Sequence, residues 1–312
     1  MKRYDKIKRL GHRSTDGILN GGELQFTEKL DGNNFRTCLK DGKLLMGSRS
    51  TEFKEADDPL PPEEIGGQFE DVAEYINENV NPDDLAEIEM SHDWELTLFG
   101  ENMVKHTLDY NWEEVPQWLL FGAFDSNSEK YLHFSEVKEI ADRLGLATVP
   151  DLGTMTTDEF RDRFEAEDPT SVVPESEYRD GKAEGIVIRN KDNRKKAKVL
   201  TDEFKEKHRS GDGQHGEEHL PDDDTRELVN MYATDARIQK HIHKLTMEQG
   251  HSLEMELMEK LPMKVVEDIF EEEYEELVRM DKSIDFKKFR STVADKCVSN
   301  LRAELRKRDS DQ

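Results

Sequence analysis

Glu23-Leu24-Gln25-Phe26-Thr27-Glu28-Lys29-Leu30-Asp31-Gly32-Asn33-Asn34-Phe35 is the stretch on which the fold turns. Polarity alternates along Glu23-Leu24-Gln25-Phe26 and again along Asn34-Phe35-Arg36-Thr37-Cys38-Leu39. That period of two belongs to half-buried strands. Gly32 permits a tight turn between the two runs, and Asp41-Gly42 signals a hairpin into Lys43-Leu44-Leu45-Met46. Lys29 therefore ends one strand beside a turn, which places its amine in a pocket between strands. Lys-x-Asp-Gly is a short string, and by itself it reads equally as a surface lysine before a turn. Its position, at the end of one strand and the start of the next, is what raises it above that reading.

Working outward, 67–79 has the pattern of an amphipathic helix, and Trp94 to Gly100 and Trp118 to Phe124 are apolar strand candidates. Ser135 can cap a helix that runs to Leu144 and stops at Gly145, and Thr157 can start another through Phe164. Ala183 to Arg189 and Ala197 to Leu200 form a closing pair of strands. Ser210 to Asp224, rich in Gly, His and acidic residues, reads as a linker. Its His215 and His219 have no cysteine or clear third ligand beside them, so a solvated loop is preferred over a metal site. From Thr225 onward the pattern is helical. Leu228, Met231, Tyr232 and Ile238 recur at helical spacing, as do Leu253, Leu257, Met258 and Leu261. The methionines read as core filler, and Glu271-Glu272-Glu273 with Glu275 and Glu276 as a solvated helix face. The expected organisation is a first domain over 1–209, a linker over 210–224 and a helical domain over 225–312.

The chain is unusually polar, with 37% charged against 34% hydrophobic residues among 312, and a net charge of -26. No apolar run is long enough to cross a membrane, and Met1-Lys2-Arg3-Tyr4-Asp5 lacks the apolar core of a signal peptide. A cytoplasmic protein is expected. Two distant cysteines, Cys38 and Cys297, make neither a disulfide framework nor a zinc cluster. Strong acidity disfavours phosphate binding unless basic patches are local or the medium is salty. In about 1 M salt the screening length falls to about 3 Å, and a dense carboxylate surface is then tolerated. A salt-adapted cytoplasm is the preferred reading.

A lysine attacks only as the free amine, and burial or neighbouring cations lower its pKa toward that state. The chain supplies cations in Arg189-Asn190-Lys191-Asp192-Asn193-Arg194-Lys195-Lys196-Ala197-Lys198, which holds six basic residues and one acid. A solvated loop is the bland reading of this run. A phosphate cradle is preferred.

At this point the sequence resembles the covalent nucleotidyltransferase superfamily of ligases and capping enzymes, and most of all the RNA ligase 2 family. The resemblance rests on Glu28-Lys29-Leu30-Asp31-Gly32-Asn33-Asn34-Phe35, then Ser48-Arg49-Ser50, Leu98-Phe99-Gly100-Glu101, Phe121-Gly122-Ala123-Phe124-Asp125, Glu184-Gly185-Ile186-Val187-Ile188-Arg189 and Lys196-Ala197-Lys198, in that order. It implies an α+β fold: an adenylyltransferase domain, ATP-grasp-like, of antiparallel sheets with flanking helices, followed by an all-helical C-terminal domain. It implies an ATP-dependent RNA ligase working in RNA repair, with Mg2+ (or Mn2+), on RNA or nicked duplex nucleic acid and away from membranes; a monomer is expected.

Residue roles follow from the same resemblance. Lys29 attacks the α-phosphorus of ATP. Glu28 reads the adenine edge, and Phe124 stacks on the base. Arg49 holds the ribose or a phosphate of the nucleic acid. Glu101 binds the ribose hydroxyl or a metal, while Glu184 holds a metal or orients Lys29. Lys196 and Lys198 neutralise charge on the phosphates, with Arg189 and Asn34 assisting. Phe121 is read as core and Asp125 as a turn cap. The chain departs from the pattern in its short Glu184 to Lys196 spacing, in Ser48 where a lysine is common, and in Thr27 where a basic residue is common. A nick-sealing DNA ligase shares these motifs but appends a β-barrel, which the helical tail disfavours. A GTP-using capping enzyme is disfavoured for the same reason. A catalytically inactive nucleic-acid binding module would not need Lys29, Glu101, Glu184 and Lys198 together.

Overall fold

The computed structural model describes residues 1–104, 108–166, 172–201, 224–279 and 284–310. It divides into two units, Met1–Thr201 and Asp202–Gln312. The linker expectation, with His215 and His219, lies outside the described residues apart from Asp224.

Two antiparallel sheets build the first unit. One has four strands in the order β11 (Lys196–Leu200), β10 (Gly185–Asn190), β1 (Glu23–Lys29), β9 (Asp151–Thr156). The other has seven, in the order β5 (Asp58–Pro59), β4 (Glu52–Glu55), β3 (Lys43–Ser48), β2 (Asn33–Lys40), β6 (Leu96–Asn102), β7 (Trp118–Asp125), β8 (Lys130–Tyr131). The β2–β3 hairpin closes with Lys40 opposite Lys43, and Asp41 and Gly42 have φ of 51° and 75°. Both angles are positive, as a two-residue type I′ turn demands.

The flanking helices are α1 (Glu70–Asn79), α2 (Pro82–His92), α3 (Phe134–Leu144) and α4 (Thr157–Ala166). Helix α3 starts before the expected Ser135. Glu136, in the first turn, turns its carboxylate back to accept the His133 N–H at 2.7 Å, and this makes His133 the cap. Gly145 ends the helix at φ 68°. Helix α2 carries its own start signal, Asn81 accepting from the Asp83 N–H at 2.9 Å with Pro82 as first residue.

In the second unit, α5 (Asp224–Tyr232), α6 (Asp235–His243), α7 (Leu261–Arg279) and α8 (Phe286–Ser310) enclose a core that includes Leu228, Tyr232, Ile238, Leu257 and Leu261. Met231 and Met258 pack against that core, whereas Met247, Met255 and Met263 are exposed. The acidic run on α7 is not wholly solvated. Glu273 is buried, and its Oε1 accepts from Arg237 Nη2 at 2.7 Å. An isolated buried charge costs far more than a solvated one, so the pair answers its own burial.

Candidate active site

Strand alternation sorts the four-stranded sheet into two faces. Leu24, Phe26, Ile186, Ile188, Ala197 and Val199 turn toward one apolar core. The other face carries three register-matched rows: Lys29–Gly185–Leu200, Thr27–Val187–Lys198 and Gln25–Arg189–Lys196. Two of the expected lysines and the expected arginine therefore share a face with Lys29. At about 3.3 Å per residue, the Lys198 row lies about 7 Å along the strands from Lys29, and the Lys196 row about 13 Å.

Lys29 Nζ donates to Glu184 Oε2 at 2.6 Å, and Glu184 is buried on the residue just before β10. From the second sheet, β2 and β6 set Asn34 opposite Glu101, and Glu101 Oε1 accepts the Gly32 N–H at 3.2 Å. Gly32 serves by its smallness rather than by a left-handed backbone. A Cβ there would stand 2.5 Å from the Asn102 carbonyl oxygen and 2.8 Å from Glu101 Cγ. Asp31 fastens the turn: its N–H donates to the Tyr110 hydroxyl at 2.8 Å, and its Oδ2 accepts the Leu108 N–H at 3.1 Å.

The electrostatics differ from the expectation of a lysine depressed by cations. Burial works to lower the Lys29 pKa, but the carboxylates of Glu184, Glu101 and Asp31 outweigh it and hold it above the ordinary lysine value. Burial pushes the Glu101 carboxyl up to about 7, with Glu184 and Asp31 adding to the rise. The charge of Lys198 reaches Glu184. Two carboxylates beside one ammonium suit a hard divalent cation, which takes oxygen ligands and completes its sphere with water and phosphate oxygens. Among the described residues no cluster of three His, Cys, Asp or Glu ligands is present.

Other expected residues sit elsewhere. Glu28 belongs to the apolar face by alternation, opposite Ile186. Its two oxygens accept the Ser176 hydroxyl at 2.6 Å and the Glu177 N–H at 3.1 Å. Phe124 stands on β7 opposite Thr97, four positions along β6 from Glu101. Lys2 Nζ lies 4.8 Å from its ring centroid, and Tyr131 packs edge-on at 5.1 Å. Arg49 follows β3 on a half-buried loop. The side-chain oxygen of Asn34 is buried and has no hydrogen-bond partner among the described residues. Phe121 is core, and Asp125 caps a turn through the N–H groups of Glu95, Asn127 and Ser128.

The basic run divides by the direction of each side chain. Lys191 pairs with Glu23 at 2.6 Å, and Lys195 donates to the Asp16 carbonyl. Lys196 enters an aromatic box, with its Nζ 3.1 Å from the Tyr131 centroid, 4.3 Å from the Tyr4 centroid and 3.0 Å from the Tyr4 hydroxyl. Burial lowers its pKa. Burial also pushes the Tyr4 phenol up, but Lys196 and Arg189 outweigh that and hold it below its ordinary value.

Tyr4 is a residue that sequence reasoning missed. A lone tyrosine inside Lys2-Arg3-Tyr4-Asp5-Lys6 carries no periodic signal. Yet its ring packs edge-on to Phe99, Phe121 and Tyr131, at 4.9, 4.9 and 5.2 Å. The segment around it spans both sheets. The Lys2 N–H donates to Thr97 Oγ1 on β6, while Lys8 and Leu10 bond the backbone of Lys198 on β11.

A family model described as RNA ligase matches residues 22–205. Among solved structures, the chain is similar to Naegleria gruberi RNA ligase with PPi, at 20% identity and a TM-score of 0.48, over 67% of this chain and 58% of that one. It is similar to a mutant of that ligase with ATP and Mn, at 19% identity and a TM-score of 0.49, over 67% and 59%. A mutant with AMP and Mn gives 19% identity and 0.47, over 67% and 58%. The chain thus matches under three fifths of the length of these structures. The comparison with curated proteins finds no match.

Proposed function

The chain belongs to the RNA ligase family, and from that premise we propose that it is an ATP-dependent RNA ligase working through a lysyl-AMP on Lys29. The observation that carries the reading is the contact of Lys29 Nζ with Glu184 Oε2 at 2.6 Å, with Glu101 and Lys198 gathered around the pair. In the first step Lys29 Nζ, having lost a proton, bonds to the α-phosphorus of ATP while the bond to pyrophosphate breaks. AMP then passes from Lys29 to an oxygen of a 5′-phosphate, regenerating the amine. A 3′-OH attacks that phosphorus, forming the phosphodiester and releasing AMP and a proton.

Phosphoryl transfer is helped chiefly by positioning and by charge placed where the transferring group becomes negative. Lys198, one row from Lys29, is suited to the α-phosphate, and Lys196 to the leaving pyrophosphate once it leaves its aromatic box. Glu101 and Glu184 would hold Mg2+ or Mn2+, whose charge polarises the phosphate oxygens and offsets the carboxylates that keep Lys29 protonated. Arg189, Arg49 and the unpartnered oxygen of Asn34 remain for phosphate and ribose. Phe124 can stack on adenine if Lys2 moves off its ring. Reading the base with the Glu28 carboxylate would require the 176–177 loop to release it.

The test is incubation with labelled ATP and magnesium, then a denaturing gel and mass spectrometry of the labelled peptide. AMP should appear on Lys29 in the parent and vanish in Lys29→Ala. An adduct that persists in Lys29→Ala removes the assignment. Sealing of matched RNA and DNA nicks then distinguishes an RNA ligase from a DNA ligase.

A further inference from the structure

A second cationic cleft opens beyond the Lys196 row, lined by Tyr131, His133, Phe134, Arg189, Arg194 and Lys196 among others. Lys191, which also lines it, is paired with Glu23, whereas the other three cations meet neutral groups. Arg189 donates to Thr27 Oγ1 at 2.7 Å and to the Phe121 carbonyl at 3.1 Å, and its guanidinium lies 5.6 Å from the Phe134 centroid. Arg194 donates to the Tyr131 carbonyl and, at 3.3 Å, meets His133 Nε2. Lys196 has the Tyr4 hydroxyl and the two rings. None of the three has a carboxylate within ion-pair distance among the described residues. The acids beside them are engaged elsewhere, Asp5 with the Tyr131 hydroxyl at 3.0 Å and Glu136 with the His133 N–H.

In a chain with 71 acidic and 45 basic residues, three adjacent cations that meet no carboxylate form an unusual concentration of positive charge. Such a cluster attracts anions most strongly where its charges are uncompensated. Arginine forks match phosphate oxygens in two-point fashion. The Tyr4 hydroxyl, 3.0 Å from Lys196 Nζ, is a neutral oxygen already held by that ammonium.

We propose that the Arg194 and His133 end of this cleft binds a phosphate of the nucleic-acid strand, at a distance from the reacting junction, with Lys196 and Arg189 left to the nucleotide as above. The proposal rests on the ligase reading above. The row of Arg189 and Lys196 lies four strand positions from Lys29, about 13 Å, and Arg194 and His133 lie at the far side of that row. Arg194, in the turn between β10 and β11, lies further along from Lys29 than that row. A strand offers a phosphate for about every 3.4 Å of its axis, so one several nucleotides from the junction meets the cleft. Arg194 and His133 are then strand-positioning residues without a part in the covalent chemistry.

The experiment uses the full chain, a fluorescent nicked RNA duplex, and the variants Arg194→Asn and His133→Ala. Asparagine is chosen because residue 194 has φ 58°, a region it tolerates. Adenylylation rate and the KM for ATP should match the parent. The Kd for the duplex should rise about tenfold in Arg194→Asn, as for a lost charged hydrogen bond. The slope of log K against log salt should fall by about one. His133→Ala should weaken binding less. Duplex affinity and salt slope equal to the parent in Arg194→Asn overturn the proposal. A rise in the KM for ATP that matches the rise in duplex Kd also overturns it, because the phosphate would then be the nucleotide's own. Failure of the parent to adenylylate Lys29, scored in the same series, strikes the ligase reading instead and leaves the duplex-binding comparison to judge the cleft.

Discussion

Gly185 is where a single methyl group should do the most measurable harm. It lies between Lys29 on β1 and Leu200 on β11 in the register. A Cβ built there would stand 2.1 Å from the Val199 carbonyl oxygen and 3.0 Å from Leu200 Cα. Both atoms are backbone, so no rotamer change relieves the clash, and β11 must move by about 1 Å to restore ordinary contact. Overpacking of this kind costs about 1–3 kcal/mol. For a unit of this size each kcal/mol moves Tm by roughly 2–4 °C, so Gly185→Ala should melt roughly 2–12 °C below the parent.

The same shift carries Lys198 away from Lys29, and a displacement near 1 Å can cost on the order of a hundredfold in rate. Gly66→Ala is the control, because nothing lies within 4 Å of its Cβ position. The assays are a thermal melt by circular dichroism and single-turnover transfer of labelled AMP to the protein. Should Gly185→Ala melt within about 1 °C of the control and adenylylate at the parent rate, steric exclusion by β11 is not what this position requires.

Lys198→Ala and Glu184→Ala should fold yet seal poorly, since charge placed at a transferring phosphoryl group typically contributes about 3 kcal/mol; single-turnover sealing within about threefold of the parent in both would remove these roles. Burial raises the Cys38 and Cys297 thiols to about 11 and about 12, so neither should react with a disulfide reagent in the native protein at neutral pH; prompt labelling of either would contradict that burial. In the helical unit, burial pushes the Asp268 carboxyl up, but His241, Lys240 and Arg237 outweigh it and hold it far below the usual range. Burial lowers the His241 pKa, with Asp268 opposing. Both folded values lie below the unfolded ones, about 3.9 and about 6.5. Their stabilisation is therefore full above the unfolded values and lost as pH falls, His241 first. Protection factors, with the intrinsic pH dependence of exchange divided out, should fall in the helices of the second unit between about pH 7 and pH 5 in the parent and less so in His241→Gln; equal pH dependence in the two would exclude His241 as the source.

Most of what a strand pattern can encode was legible in the chain. Strands β1 and β2, the β2–β3 hairpin at Asp41-Gly42, the apolar β6 and β7, and the closing β10–β11 pair all follow from alternation, apolar runs and turn residues. The helical tail followed from the spacing of Leu228, Tyr232, Ile238 and Leu257. What stayed hidden has a common cause. Strand β9 is largely exposed, with Asp151, Gly153 and Thr154 all facing solvent, so it lacks the alternation that marks its neighbours. Glu28 and Lys29 are adjacent in sequence, and only the pleat sends them to opposite faces. Lys29 was read as a lysine among cations because the basic run was visible as a run. Its nearest charges are carboxylates from three different loops and strands, which the fold alone assembles. Tyr4 gains its surroundings from Phe99 to Lys196, far along the chain, and His133 meets Arg194 across 61 residues.

The opening segment has a further consequence, in time rather than in space. Lys8 and Leu10 make backbone hydrogen bonds with Lys198, and Tyr4 meets Lys196 as well as the rings of Phe99, Phe121 and Tyr131. A ribosome releases these first residues long before it reaches β11. Contacts so distant along the chain form slowly, because the closure of a long loop precedes any gain from them. During synthesis the seven-stranded sheet can assemble as soon as β8 has emerged and can receive Lys2 and Tyr4, while Lys8 and Leu10 wait for Lys198. The box around Lys196 is therefore among the last parts of the first unit to close. A pause in translation before β11 would leave a folded sheet in which Lys8 and Leu10 still lack their Lys198 backbone bonds and stand open to proteases.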